Sequence, residues 1–170
     1  ETLRQDCGML RVASPGLTPV LAAAYAEFRK MVERGEAIGP PETPLGASLP
    51  DSKLYLDFRF AAEETPLAIR KLHEMLSQLP DSLAVELTAA FGLNNFPPLS
   101  TLMDKRDGPV LRMTWYPKGA NGEINQAHTD IDLFTILPAA TNAGLQVFSD
   151  GQWAPVEVGN DEVAAIPGEV

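Results

Sequence analysis

The chain has 170 residues, enough for one domain with a core of its own. Its composition, 45% hydrophobic and 21% charged, excludes wholesale disorder. A net charge of -10 argues against a nucleic-acid backbone or an anionic membrane surface as partner, but not against a small acidic ligand in a locally positive pocket. No apolar run approaches the length of a membrane span, and no basic-then-apolar signal segment opens the sequence. The lone cysteine, Cys7, cannot form an internal disulfide, which fits a reducing cytoplasm; it reads as a small core hydrophobe.

Residues 7–16, CGMLRVASPG, read as a short strand closed by the Ser14-Pro15-Gly16 turn. A helix follows, with Thr18 as N-cap and Pro19 at its first position. Val20, Leu21, Ala24, Tyr25, Phe28, Met31 and Val32 form its apolar stripe, and Gly35 is its stop. The Pro- and Gly-rich residues 36–53 form a loop. LYLDFRF alternates as a half-buried strand, with Leu54, Leu56, Phe58 and Phe60 on one face and Tyr55, Asp57 and Arg59 on the other. Two helices come next. The first has the stripe Ile69, Leu72, Leu76 and Leu79. The second is capped by Asp81 or Ser82, packs Leu83, Leu87, Ala90 and Phe91, and stops at Gly92. His73 reads as a partly exposed residue beside the first stripe.

From residue 97 the pattern changes to short strands (PVLRMTWYP, HTDIDLFTILPA, GLQVFS, QWAPVEV and VAAIP) separated by Gly/Asn/Asp turns such as SDG and GNDE. That spacing predicts an antiparallel sandwich or barrel behind a helical front end. The run DKRD at 104–107 reads as a turn.

On a strand, residues i and i+2 leave the same face, so His128 and Asp130 are expected side by side. An imidazole nitrogen and a carboxylate oxygen so placed could share one cation, as in the 2-His-1-carboxylate sites of non-haem iron enzymes. The pair could equally be the polar face of a strand. Asp132 continues that face, as a hydrogen-bonding neighbour of the imidazole or simply as a solvated carboxylate. By the same alternation Arg112, Thr114 and Tyr116 share a face, suited to a carboxylate or else an ordinary wet strand surface. Trp153 reads as a packing residue.

The order of motifs resembles the 2-oxoglutarate-dependent Fe(II) oxygenases, in the isopenicillin-N-synthase-like branch. They are His128-Thr129-Asp130, then Leu133-Phe134-Thr135-Ile136-Leu137, Gly144-Leu145-Gln146-Val147, Gly151-Gln152-Trp153 and Pro155-Val156. The wording TILPAA and GLQV is similar to bacterial members, among them the ethylene-forming enzyme. LRMTWYP and CGMLRVASPG resemble earlier strands of the family, so the likeness spans nearly the whole chain.

The resemblance implies an α+β fold, a double-stranded β-helix (jelly roll) with N-terminal supporting helices. Residues 1–170 would be one partial oxygenase domain, with a mostly helical part over 1–96 and the first part of the jelly-roll core over 97–170. It implies Fe(II) held by His128 and Asp130, 2-oxoglutarate as co-substrate with O2, and Tyr116 as a co-substrate contact; Arg112 and Thr114, on the same face by alternation, could bind a carboxylate of co-substrate or substrate. A small-molecule substrate would be oxidised with release of succinate and CO2. The family's second histidine and its Arg-x-Ser carboxylate clamp have no counterpart before Val170. Neither His73 nor Glu169 is expected to replace that histidine. The domain is therefore expected to be truncated at both ends, with further chain or a partner completing it. The alternative is a catalytically incomplete family member acting as a binding or partner module.

Overall fold

The computed structural model of the protein describes residues 4–6, 9–36, 53–59, 65–90, 109–116, 118, 125–132 and 134–168. Its elements in chain order are β1 (Arg4–Asp6), β2 (Met9–Ala13), α1 (Leu17–Glu33), β3 (Leu54–Arg59), α2 (Leu67–Leu76), α3 (Leu79–Ala90), β4 (Val110–Trp115), β5 (Phe134–Pro138), β6 (Gln146–Ser149), β7 (Gln152–Pro155) and β8 (Glu162–Pro167). The chain divides into two compact units, one of residues Glu1–Leu21 with Ala127–Val170 and one of Ala22–Gln126. No described helix is long and apolar enough to cross a membrane. Cys7, Phe60, Phe91, Gly92, Glu169 and the run at 104–107 lie outside the described residues.

The first unit is built on a four-stranded antiparallel sheet in the order β1-β2-β8-β5. Strand β8 is central. Its sequence EVAAIP lacks a polar alternation, and Val163, Ala164 and Ala165 are accordingly all buried. Met9, Ala164 and Val156 form the core there, with Leu137, Leu145, Val147, Val158 and Ile166 packed around them.

Strands β6 and β7 form a separate hairpin, and Ser149 pairs with Gln152 across a two-residue loop. Asp150 and Gly151 both have positive φ, at 52° and 80°, as an Asp-Gly turn of the twisted hairpin type requires. Trp153 does not pack into the core. It is half-exposed, with its ring centroid 5.3 Å from that of the exposed Phe148. The predicted strand 152–158 stops at Pro155, where proline removes the N–H that a longer ladder would use.

Helix α1 buries Leu21, Ala24, Phe28 and Met31 of the expected stripe and Leu17 besides, while Val20, Tyr25 and Val32 are only partly buried. Its start differs from expectation. Thr18 lies inside the helix and is not its cap. The cap comes from Asp161, whose Oδ1 accepts the Thr18 backbone N–H at 2.7 Å, while the Asp161 N–H donates to Thr18 Oγ1 at 3.0 Å. The Ser14 N–H completes the clamp by donating to the Asp161 carbonyl at 2.7 Å. The Thr18 donors, with the amides of Gly16 and Leu17, hold the Asp161 carboxyl below its ordinary range. At the other end the Glu36 N–H bonds the Met31 carbonyl and the Gly35 N–H that of Val32, closing the helix as a Schellman motif.

In the second unit β3 and β4 pair antiparallel from Leu54↔Trp115 to Arg59↔Val110. Phe58 and Met113 are buried on one side of this ribbon. Trp115 is capped by the Arg29 guanidinium, 5.7 Å from its ring centroid.

Helix α2 buries Ile69, Leu72 and Leu76, and also His73. The expectation of a partly exposed His73 is thus corrected. The ring lies on the packed side of α2, and Nε2 donates to the Pro109 carbonyl at 2.8 Å, satisfying an otherwise costly burial. Helix α3 begins at Leu79, ahead of the predicted Asp81 or Ser82, because Pro80 is tolerated in a first turn where no N–H is needed.

Candidate functional site

His128 and Asp130 do not lie on a strand. Residues 126–130 are irregular, and the ladder begins only at Phe134. The sequence explains this, since Asn125, Asp130 and Asp132 are poor strand residues whose side chains compete for local hydrogen bonds. The two side chains nevertheless meet, with His128 Nε2 3.4 Å from Asp130 Oδ1. The imidazole is exposed and the carboxylate partly buried, so the pair faces solvent from a folded anchor.

That anchor is Thr135, near the start of β5. Its hydroxyl donates to Asp130 Oδ2, which leaves Oδ1 as the oxygen turned toward the imidazole. The same hydroxyl oxygen lies 3.2 Å from Asp132 Oδ2, so the two carboxylates share one proton donor. Burial raises the Asp132 carboxyl, the neighbouring Asp130 charge adds to the rise, and the Thr135 hydrogen bond opposes both. Asp132 thus approaches the pair through Thr135.

Gly168, one residue beyond β8, closes the arrangement from behind. A Cβ built there would lie 1.9 Å from the Asp132 carbonyl oxygen and 2.8 Å from its Oδ1, so only glycine fits against this backbone. Sequence reasoning assigned no role to Thr135 or Gly168. The signal available for Thr135 was its place in the LFTIL strand three residues after Asp132; nothing local marks Gly168.

An imidazole nitrogen and a carboxylate oxygen at this separation form a donor set that suits a divalent transition metal such as iron. Among the described residues no group of three His, Cys, Asp or Glu side chains is poised to hold a metal ion. The structure therefore brings together two candidate donor groups, His128 Nε2 and Asp130 Oδ1, and a hydroxyl that orients one of them.

Arg112, Thr114 and Tyr116 belong to the second unit, on or just beyond β4. Alternation holds, because Met113 between them is buried while Arg112 and Tyr116 are exposed. Arg112 Nε and Nη2 each donate to the Asp57 carboxylate at 2.7 Å, a two-pronged pair, and the guanidinium lies 4.4 Å from the Tyr55 ring centroid. Partial burial pushes the Tyr116 phenol up, so it remains a protonated hydrogen-bond donor through the neutral range.

No protein-family profile matches the chain, and no curated protein does either. Solved structures do. A protein of Shewanella oneidensis assigned to the oxygenases superposes with a TM-score of 0.67 at 23% identity, over 96% of this chain and 68% of that one. JOX2, solved with 2OG, Fe and JA, matches with a TM-score of 0.72 at 22% identity, over 95% of this chain and 57% of its own. A full-length protein of Neurospora crassa, solved with alpha-KG and 5-formyluracil, gives 0.68 at 17% identity, over 96% and 62%. The chain thus spans between about half and two thirds of the length of the structures it resembles. Its mixed helical and antiparallel β structure is the fold seen in 2OG-Fe(II) oxygenases.

Proposed function

We propose that this chain is part of an Fe(II)- and 2-oxoglutarate-dependent dioxygenase that oxidises a small molecule, by hydroxylation, desaturation or a related outcome. The reading puts it on a jelly roll of the isopenicillin-N-synthase-like branch, in the cytoplasm. The observation that carries it is the meeting of His128 Nε2 and Asp130 Oδ1 at 3.4 Å, within a fold shared with enzymes solved with 2OG and Fe.

In this reading His128 and Asp130 hold the metal. Iron, when bound, supplies the activation of O2 that converts the co-substrate to succinate and CO2 and oxidises the substrate. The protein's own part is positional. Thr135 fixes the Asp130 carboxylate so that one oxygen stays directed at the imidazole side, which lowers the ordering needed when the cation arrives. Asp132 adds negative charge beside the site, favouring a divalent cation over an anion. Thr114 and Tyr116 offer hydrogen-bond donors suited to the co-substrate, and Arg112, held by Asp57, adds a fixed positive charge beside them.

The test is anaerobic addition of Fe(II) and 2-oxoglutarate. A visible charge-transfer band should form and be absent from His128→Ala. No band in the wild-type protein would remove the catalytic reading and leave the chain as a binding or partner module.

A further inference from the structure

The face that carries Arg112, Thr114 and Tyr116 carries a second cation, Lys53. This residue precedes Leu54, which pairs with Trp115, so alternation puts it with Tyr55 and Asp57, opposite Thr114 and Arg112. Its ammonium donates to Asn125 Oδ1 at 2.6 Å. That acceptor is neutral, and an ammonium has three donors to place. Asp57, the carboxylate of this face, is already committed to both prongs of Arg112. Lys53 is half-buried, and no carboxylate among the described residues pairs with it. Burial first, and the Arg112 charge second, depress its pKa.

A lysine stem is long enough to carry its charge into water, and the chain has 23 acidic residues to offer as partners. Here the amine is instead tethered beside another cation, where a neutral amide fixes its direction and, among the described residues, leaves two N–H groups unspent. Lys53, Arg112 and Asp57 together carry one surplus positive charge on a protein whose net charge is -10. Such a place stabilises an incoming anion and repels a cation. The Thr114 and Tyr116 hydroxyls, on the same face, add uncharged donors. Flat, two-oxygen acceptors suit this combination.

We propose that Lys53 is the charged contact through which the β3–β4 face binds an organic carboxylate, with Thr114 and Tyr116 donating beside it and Arg112 held as a fixed neighbouring cation. On the oxygenase reading that carboxylate belongs either to the substrate or to the far end of 2-oxoglutarate. The binding itself does not depend on that reading.

The experiment uses metal-free protein and calorimetric titration with benzoate and with glutarate. One or both should bind to the wild type, benzamide should not, and Lys53→Met should weaken binding by about tenfold or more, as expected for loss of a charge-assisted hydrogen bond. Lys53→Arg should restore most of the affinity, which a purely structural role for Lys53 does not predict. Added 2-oxoglutarate that competes with the probe identifies the co-substrate's carboxylate; simultaneous binding identifies the substrate's. Equal affinities in wild type and Lys53→Met, or no binding to the wild type, would overturn the proposal. Because no iron is present, a missing charge-transfer band with Lys53-dependent binding would sink the oxygenase reading alone.

Discussion

Gly168→Ala is the sharpest probe of how the candidate metal pair is held. The added Cβ would sit 1.9 Å from the Asp132 carbonyl oxygen and 2.7 Å from its carbonyl carbon. That is roughly 1.5 Å short of the 3.4 Å at which ordinary contact begins, and the obstacle is backbone, so no side-chain rotation relieves it. Overpacking of this kind costs about 1–3 kcal/mol, whereas Gly→Ala at an unstrained site stabilises by about 0.4–1 kcal/mol through the unfolded chain. The sign alone is therefore informative, since the φ of Gly168 lies outside the left-handed range. A loss of about 2 kcal/mol corresponds to a fall in Tm of roughly 4–8 °C for a chain of this size.

The displaced Asp132 shares its hydroxyl donor, Thr135, with Asp130, so the carboxylate facing His128 should loosen as well. Metal affinity is expected to drop by about tenfold, the lower end of the usual effect of losing a supporting hydrogen bond. Thermal unfolding and anaerobic Co(II) titration read the two effects separately. A variant as stable as the wild type would refute the close approach of Gly168 to Asp132. A destabilised variant with unchanged Co(II) affinity would refute the link from Asp132 to Asp130.

Two further variants test neighbouring parts of the same unit. Thr135→Val keeps the shape of a half-buried strand residue but removes the donor, and should weaken Co(II) binding by about tenfold while Thr135→Ser retains it. Asp161, whose folded pKa is depressed, contributes stability that is present above its unfolded value near 3.8 and is lost as pH falls through the folded value. Asp161→Asn keeps a capping side chain suited to a positive φ but cannot titrate. Its Tm should decline less than that of the wild type between pH 5 and about pH 2, a range that follows from ordinary carboxylate titration; parallel curves would contradict the clamp.

What could be read from the sequence were the features whose causes are local. The α1 stripe and the Asp150-Gly151 turn follow from spacing and from the backbone each residue favours. The meeting of His128 and Asp130 was anticipated from strand alternation, yet the segment is irregular, and Thr135 holds Asp130 in its place. The burial of His73 leaves no mark on the helix pattern, because its partner, the Pro109 carbonyl, comes from a distant part of the chain. Asp161 sits in the turn sequence GNDE, and nothing within a few residues of it reveals a helix start 143 positions earlier. Lys53 likewise gains its meaning only when β3 is laid against β4, where Arg112 has already taken the available carboxylate.

The clamp between Asp161 and the start of α1 bears on how the protein is made. Strand β2 is flanked on one side by β1, its near neighbour in sequence, and on the other by β8, whose residues leave the ribosome last among the described strands. Until then β2 has one row of amide and carbonyl groups without a strand beside it, and α1 lacks its cap. Synthesis at about 5–20 residues per second, a typical range, makes that interval roughly 7–30 s long. Strand β2 carries Arg11, whose side chain later binds the Glu157 carbonyl and Glu162. A charged side chain on an exposed strand discourages pairing with other chains. Arg11 is thus placed both to keep the nascent strand apart from its neighbours and to fasten the finished sheet.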